Sequence, residues 1–254
     1  MKTVAFIPIK LNNERTPGKN LKPFSDGTPL LSFFLRKIES IPGIDEIYVF
    51  CSDSRIKEYL PERIKYLQRP NYLDSREATP QDIIIEFMKR VDADVYMVSH
   101  CTSPFVKNSR LEECIQAVKS GKYDSAFTAQ EVRKLFWNSD GTPHNFKPEC
   151  VPRTQDLQPL YSEVSAAYVF LKKTFEKYQR RIGMVPYIAK VNGIEGIDID
   201  YPEDFEIADA VYMKLCKEHT FVRGGGAIAC CKQISEGSFS VFSFLFKKER
   251  RTAA

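Results

Sequence analysis

The sequence predicts an α/β domain, a mostly parallel sheet with helices on both faces, from three observations. Strand-length apolar runs alternate with amphipathic stretches from residue 3 to residue 217. The first run, Thr-Val-Ala-Phe-Ile-Pro-Ile over residues 3–9, contains no charge, as a strand covered on both faces requires. The stretches between the runs place apolar residues at i, i+3 and i+4 spacing, as Leu30, Phe33, Phe34 and Ile38 do.

The elements follow in order. A basic loop over 10–22 succeeds the first strand, and residues 29–40 are an amphipathic helix. Residues 46–51 are a second strand, with Ile47, Val49 and Cys51 alternating with Tyr48 and Phe50, and 64–67 a short third. Residues 79–91 are a helix with Thr79 as N-cap and Pro80 in its first position. A strand over 94–99 and a helix over 109–120, ended at Gly121, come next, then a strand over 124–129. Residues 130–163, rich in Pro, Asn and Gln, read as an insertion of hairpin character. Strands over 166–171 and 194–199, a short helix over 174–178 and a helix over 202–217 complete the domain. In such sheets ligands bind beyond the carboxyl ends of the strands, so the loops after Ile9, Cys51 and Ser99 share the functional rim.

Composition excludes several classes. At 43% hydrophobic and 28% charged residues, the 254-residue chain is neither wholly disordered nor collagen-like. It contains no apolar run of roughly 18 residues, so no membrane span is expected. Met1-Lys2-Thr3 passes into a run too short and too soon interrupted by charge for a signal peptide, and a cytoplasmic location is expected. The seven cysteines are scattered, with no C-x-x-C pair and only three histidines, so reduced thiols are expected rather than zinc or a disulfide framework. Residues 221–254 hold six of the 37 basic side chains and two of the 33 acidic ones, leaving 31 of each in residues 1–220. The neutral body gives no reason to expect a nucleic acid partner. The segment from Phe221, with Gly224-Gly225-Gly226, Cys230-Cys231 and a Ser/Phe-rich run, is expected to be a loosely ordered, solvated end; a membrane-surface or partner-binding segment is the alternative.

Two constellations carry chemistry. The loop from Ile7 to Leu21 holds Lys10, Arg15 and Lys19, three cations in ten residues, between a strand end and a helix, where backbone N–H groups cradle phosphates. It is not a Walker A loop and lacks G-x-G-x-x-G; on charge alone a solvated basic loop is the favoured reading. The second is Gly196-Ile197-Asp198-Ile199-Asp200-Tyr201-Pro202-Glu203-Asp204. Asp198 and Asp200, two apart on a strand, face one side and make a natural Mg²⁺ site completed by waters and phosphate oxygens. Helix capping accounts for Asp200 but not for Asp198.

Pro8, Lys10, Asn13, Arg15, Pro17-Gly18-Lys19 and Asn20 resemble the N-terminal signature of sugar-acid cytidylyltransferases, the group of acylneuraminate (CMP-sialic acid) and CMP-Kdo synthetases. The run from Ile197 to Ala208 closely resembles the sialic-type metal motif, Asp-Ile-Asp-x-Pro-Glu-Asp. Weaker matches lie between: Cys51-Ser52-Asp53, Arg69-Pro70, His100-Cys101-Thr102-Ser103-Pro104-Phe105, where the family has Gln at the first position, and Pro152-Arg153-Thr154-Gln155-Asp156-Leu157. Lys10 stands where the family has Arg, Asn13 where it has Ser and Glu14 where the sialic type has Lys, while Val164-Ser165-Ala166-Ala167-Tyr168 replaces its Asn-Gly-Ala-Ile-Tyr.

The resemblance implies a Rossmann-like, GT-A-like nucleotidyltransferase over residues 1–218, with 130–163 as lid or dimerisation insertion and 219–254 as a C-terminal extension. It implies transfer of CMP from CTP to a sialic-acid-like sugar acid, with Mg²⁺ on Asp198 and Asp200, in a homodimer. Lys10, Arg15 and Lys19 would act on the phosphates, Asn13, Asn20, Arg69 and His100 on the nucleotide, and Arg153 and Gln155 on the sugar acid. Two other readings stand beside it: a CMP-Kdo-type or other sugar nucleotidyltransferase, favoured by Arg15 and Pro17-Gly18-Lys19, and a degenerate nucleotide-binding domain, favoured by Glu14.

Overall fold

The structure, a computed structural model, describes residues 1–222, with side chains to Cys216. The expected loosely ordered extension lies, from residue 223 on, outside the described residues. Seven strands form one sheet: β1 (Thr3–Ile9), β2 (Glu46–Cys51), β3 (Ile64–Gln68), β4 (Val95–Val98), β5 (Ser125–Val132), β6 (Leu160–Leu171) and β7 (Pro186–Val191). Their order is β3-β2-β1-β4-β6-β5-β7, and β6 alone runs antiparallel, to β4 on one side and β5 on the other. The helices are α1 (Leu30–Ile38), α2 (Pro80–Met88), α3 (Asn108–Lys119), α4 (Lys172–Tyr178) and α5 (Pro202–Val222). The expected mostly parallel sheet with helices on both faces is present.

Alternation along β1 divides the core. Ala5, Ile7 and Ile9 face α1 and α3, meeting Leu31, Phe34, Ile38, Leu111, Ile115 and Val118. Val4 and Phe6 face the other way, onto Ile84 and Phe87 of α2, with Phe175 of α4 in the same cluster. Phe6 and Phe87 stack with ring centroids 4.0 Å apart. A third cluster joins Phe24, Leu30 and Phe33 to Ile199, Phe205 and Tyr212, so α5 is packed against α1 beside the rim. The start of α2 follows the sequence: Thr79 and Asp82 form a reciprocal capping box, with Pro80 in the first turn. Gly121, past the end of α3, takes a φ of 75°, which glycine adopts without strain.

Two expectations are corrected. Residues 194–199 are not a strand: 194–196 belong to a turn over 193–196, and 197–199 form no regular element. No strand therefore presents Asp198 and Asp200 on one face, and the Ile199 N–H donates to the Thr102 carbonyl at 2.9 Å. The edge strand is instead β7, parallel to β5, which opens with Pro186, a residue tolerated at the first position of an edge strand. The insertion is also shorter than read, because 130–132 and 160–163 extend β5 and β6 as paired arms and leave 133–159 as the excursion. Within it Trp137 bridges to Pro143 and Lys147 to Cys150.

Truncating the ring at the centre of the α2-side cluster removes its contacts with Phe6, Phe50, Tyr48 and Tyr96. Phe87→Ala is expected to destabilise by about 3–5 kcal/mol, measured by urea unfolding. A loss below about 1 kcal/mol would contradict this packing.

Candidate active site

β1, β2 and β4 are parallel neighbours, so the loops after Ile9, Cys51 and Val98 emerge on one rim. The first of these turns back at Gly18, whose φ of 69° is left-handed, and winds into a 3₁₀ turn over Lys19–Leu21. That turn buries Lys19 and Asn20 to 8% and 4% exposure, unusual for an ammonium unless it is paired.

The partner comes from the far end of the domain. Lys19 Nζ donates to the Ile199 carbonyl at 2.5 Å and pairs with Asp200 Oδ1 at 3.2 Å. Arg15 Nη1 pairs with Asp200 Oδ2 at 3.0 Å, and Thr16 Oγ1 donates to the Asp200 carbonyl at 2.9 Å. Asp200 raises the Arg15 pKa further above its ordinary range, so this side chain stays charged at any working pH. The Asp200 and Tyr201 N–H groups donate to Asp204 Oδ2 at 3.0 and 2.8 Å, fixing the entry to α5. Asn20 Nδ2 donates to the Lys10 carbonyl at 2.9 Å and reaches Asn13 Oδ1 at 3.4 Å, while its own Oδ1 receives the Cys101 thiol at 3.3 Å. Among the described residues the Lys10 ammonium makes no ion pair, leaving that cation available.

Asp198 is placed differently from Asp200. Its Oδ1 is buried with no hydrogen-bond partner among the described residues. A buried carboxylate oxygen without a donor is costly, and a hard cation is the partner that chemistry suits. No group of three or more His, Cys, Asp and Glu side chains converges among the described residues. Asp198 has its Oδ1 to offer, whereas both Asp200 oxygens already meet Arg15 and Lys19. Magnesium, which takes one or two carboxylates and keeps several water and phosphate oxygens, therefore fits Asp198 first.

His100 is half-buried beside the edge of the Tyr168 ring, centroids 6.5 Å apart, and its backbone N–H donates to the Ser165 carbonyl at 3.2 Å. Burial, with Arg181 and Lys19 nearby, brings its imidazole down to about 4, so it is neutral at pH 7 and offers one donor and one acceptor. Arg69, 2% exposed, forms a buried ion pair with Asp74, which also accepts from Ser52 Oγ at 2.5 Å. Arg69 Nε has no hydrogen-bond partner among the described residues, so the guanidinium keeps one unused donor. Arg153 and Gln155 are not drawn into this group. Arg153 is 73% exposed and pairs with Asp156 of its own turn at 2.7 Å, and the Gln155 carbonyl accepts from Arg133 at 3.2 Å.

Sequence reasoning missed four contributors. Thr16, between Arg15 and Pro17, carries no charge to single it out. Arg76 reaches Glu14 through Nε at 3.0 Å and Nη2 at 2.8 Å, so the anion that breaks the basic loop is neutralised from 62 residues away. The Arg76 hydrogen bond holds the Glu14 carboxyl below its usual range. Lys37 and Glu195, both buried, lie beneath the rim: Lys37 Nζ donates to the Pro104 carbonyl at 2.9 Å, and Glu195 accepts from the Lys107 and Asn192 N–H groups, each at 3.1 Å. Nothing local in the sequence marks either as interior.

The fold and this rim define an α/β domain whose parallel strands end at a cationic rim clasped by Asp200. The sequence model of the cytidylyltransferase family matches residues 4–230, and the chain belongs to that family. The chain is similar to the N-acylneuraminate cytidylyltransferase of Streptococcus agalactiae, 25% identical over 215 residues, 81% of this chain and 52% of that one. It is also similar to 3-deoxy-manno-octulosonate cytidylyltransferase 2 of Hydrogenovibrio crunogenus, 28% identical over 130 residues, 50% of this chain and 51% of that one. The match thus spans about half the length of each of these curated relatives. Among solved structures, a CMP:2-keto-3-deoxy-manno-octonic acid synthetase complexed with CTP aligns with a TM-score of 0.63 at 18% identity, covering 84% of this chain and 99% of that one. The 4-diphosphocytidyl-2C-methyl-D-erythritol synthase of Anaerococcus prevotii aligns at 0.61 and 16% identity, covering 84% and 96%. These two likenesses establish the shared fold.

The buried Lys37 gives a pH signature. Burial lowers its ammonium to about 7 from an ordinary 10.5, against the opposing pull of Glu195. Between those values the unfolded chain holds a proton the folded chain has shed, so stability rises with pH there. Thermal melts at several pH values should show the wild-type melting temperature climbing relative to Lys37→Met from about pH 7 upward; parallel curves would contradict it.

Proposed function

We propose that this chain is a CTP-dependent cytidylyltransferase that converts a sialic-acid-like nonulosonate to its CMP-sugar, releasing pyrophosphate. The observation that carries the reading is the joining of Arg15, Thr16 and Lys19 to Asp200, which assembles the two most specific motifs of the chain into one site. Family membership supports it, and so does the curated relative from Streptococcus agalactiae.

The anomeric hydroxyl of the sugar acid attacks the α-phosphorus of CTP in line. A P–O bond forms, the bond to the bridging oxygen of the β-phosphate breaks, pyrophosphate leaves, and the hydroxyl proton passes to solvent. Lys10, Arg15 and Lys19 supply fixed positive charge where negative charge gathers on the α-phosphate and the leaving pyrophosphate. Asn13, Asn20, Arg69 and His100 position the nucleotide, and the neutral imidazole suits hydrogen bonding to a base edge. Arg153 and Gln155 lie on the 133–159 excursion, outside the group gathered around Asp200. Asp198 and Asp200 would hold Mg²⁺, which when bound neutralises phosphate charge and lowers the pKa of a coordinated hydroxyl.

A Kdo-type acceptor is the second reading, favoured by the relative from Hydrogenovibrio crunogenus and by Arg15 with Pro17-Gly18-Lys19. The Asp198-Ile199-Asp200 motif and Asn20 favour the sialic type. The degenerate-domain reading loses its main support, because Arg76 cancels the Glu14 charge.

Pyrophosphate release with CTP, Mg²⁺ and a panel of sialic, pseudaminic, legionaminic and Kdo acids tests the function directly. Asp198→Ala and Asp200→Ala are each expected to lower the rate about 100-fold or more with the circular dichroism unchanged. Near wild-type rates in both variants would overturn the metal assignment. No release with any acid, in a folded chain that does not bind CTP, would overturn the function.

A further inference from the structure

A second arginine stands beside His100 that the reaction above leaves unused. The Arg181 guanidinium lies 3.5 Å from the centroid of the Tyr168 ring, and the side chain is 25% exposed. The Tyr168 ring in turn meets His100 edge-on. Arg181, Tyr168 and His100 thus form one contiguous row that starts at the loop following β4.

The backbone beside Arg181 is tightly held. The Gly183 N–H donates to Ser125 Oγ at 2.8 Å, and the Met184 and Val185 N–H groups donate to the Asp124 carboxylate at 2.7 and 3.2 Å. A Cβ on Gly183 would stand 2.4 Å from that carboxylate, so the loop closes against β5 only with glycine there. Arg181 is therefore carried by a pinned loop and flattened on an aromatic ring, two restraints that pre-orient a guanidinium.

Its donors are largely unspent. A guanidinium has five N–H groups, and among the described residues the acceptor for Arg181 is Glu163 Oε2 at 3.5 Å, the outer limit of a hydrogen bond. The Tyr168 hydroxyl donates to that same oxygen at 2.8 Å. Arg153 contrasts with it in every respect, being exposed and already bound through Nε and Nη2 to Asp156.

We infer that Arg181, stacked on Tyr168 beside His100, is the receptor for the acceptor's carboxylate, taking it bidentately on its free fork, and that Arg153 is left at the outer lip. The inference rests on the proposed cytidylyl transfer and assigns the residue that makes the acceptor a sugar acid rather than a neutral sugar.

The test compares an acid with its uncharged twin. Pyrophosphate release by the full chain is measured with CTP and either N-acetylneuraminate or Kdo, and with the corresponding carboxamides, in wild type, Arg181→Met, Arg181→Lys and Arg153→Ala. Arg181→Met is expected to raise the acceptor KM about 10-fold or more and to erase the preference for acid over carboxamide, with the CTP KM within about twofold of wild type. Arg181→Lys should recover part of the preference, a charge without the fork. Retention of the preference in Arg181→Met, or its loss in Arg153→Ala alone, would overturn the assignment while leaving the function standing. If the wild type binds CTP but turns over neither acid, calorimetric titration of the CTP complex with both pairs decides: absence of any preference for the acids overturns the assignment. A wild-type chain that binds no CTP removes the proposed function and this subsite with it.

Discussion

The rim is held together by one carboxylate. Asp200 receives Arg15 and Lys19 on its two oxygens and Thr16 on its backbone, across 185, 181 and 184 residues of sequence. Ile199 beside it is fully buried and bonded to the Thr102 carbonyl, so the clasp is seated on the core. The arrangement turns two separately folded loops into one surface. A flexible basic loop would have to lose its conformational freedom when phosphates arrive; here that ordering is completed with the fold.

The alternation of faces in β1 governs what lies behind this rim. The residues facing α1 and α3 and those facing α2 and α4 form separate clusters, and α5 docks through a third. Ile9, Cys51 and Cys101, at the bases of the three rim loops, all belong to the cluster under α1 and α3, so the loops rest on one shared layer. Positive charge then accumulates at the front, with Glu14 neutralised by Arg76 and the Lys10 ammonium without an ion pair among the described residues. A site built this way stabilises developing negative charge without reorganising.

The fold was legible wherever burial on both faces left uninterrupted apolar runs, as in β1 and β2, and wherever capping chemistry was local, as at Thr79 and Pro80. It was not legible at β7, where an opening Pro186 and the charged Lys190 obscure an edge strand that only pairing with β5 defines. The neighbouring 194–199 run mimics strand alternation but spends its backbone on a turn and on Thr102. The two motifs of the site were visible one at a time, because each carries its residues within a short span. Their union, and the arrivals of Arg76 and Arg181, were not, since long-range pairing leaves no local periodicity.

Cys101 sits at the centre of this rim, hydrogen-bonded to Asn20 and closed off from solvent. Burial pushes its thiol up to about 12. Oxidants and alkylating agents react with the thiolate, and at neutral pH almost none is present. The site thus carries a cysteine at its heart that redox chemistry leaves alone. The exposed Cys150, out on the excursion, is the described thiol that meets solvent first.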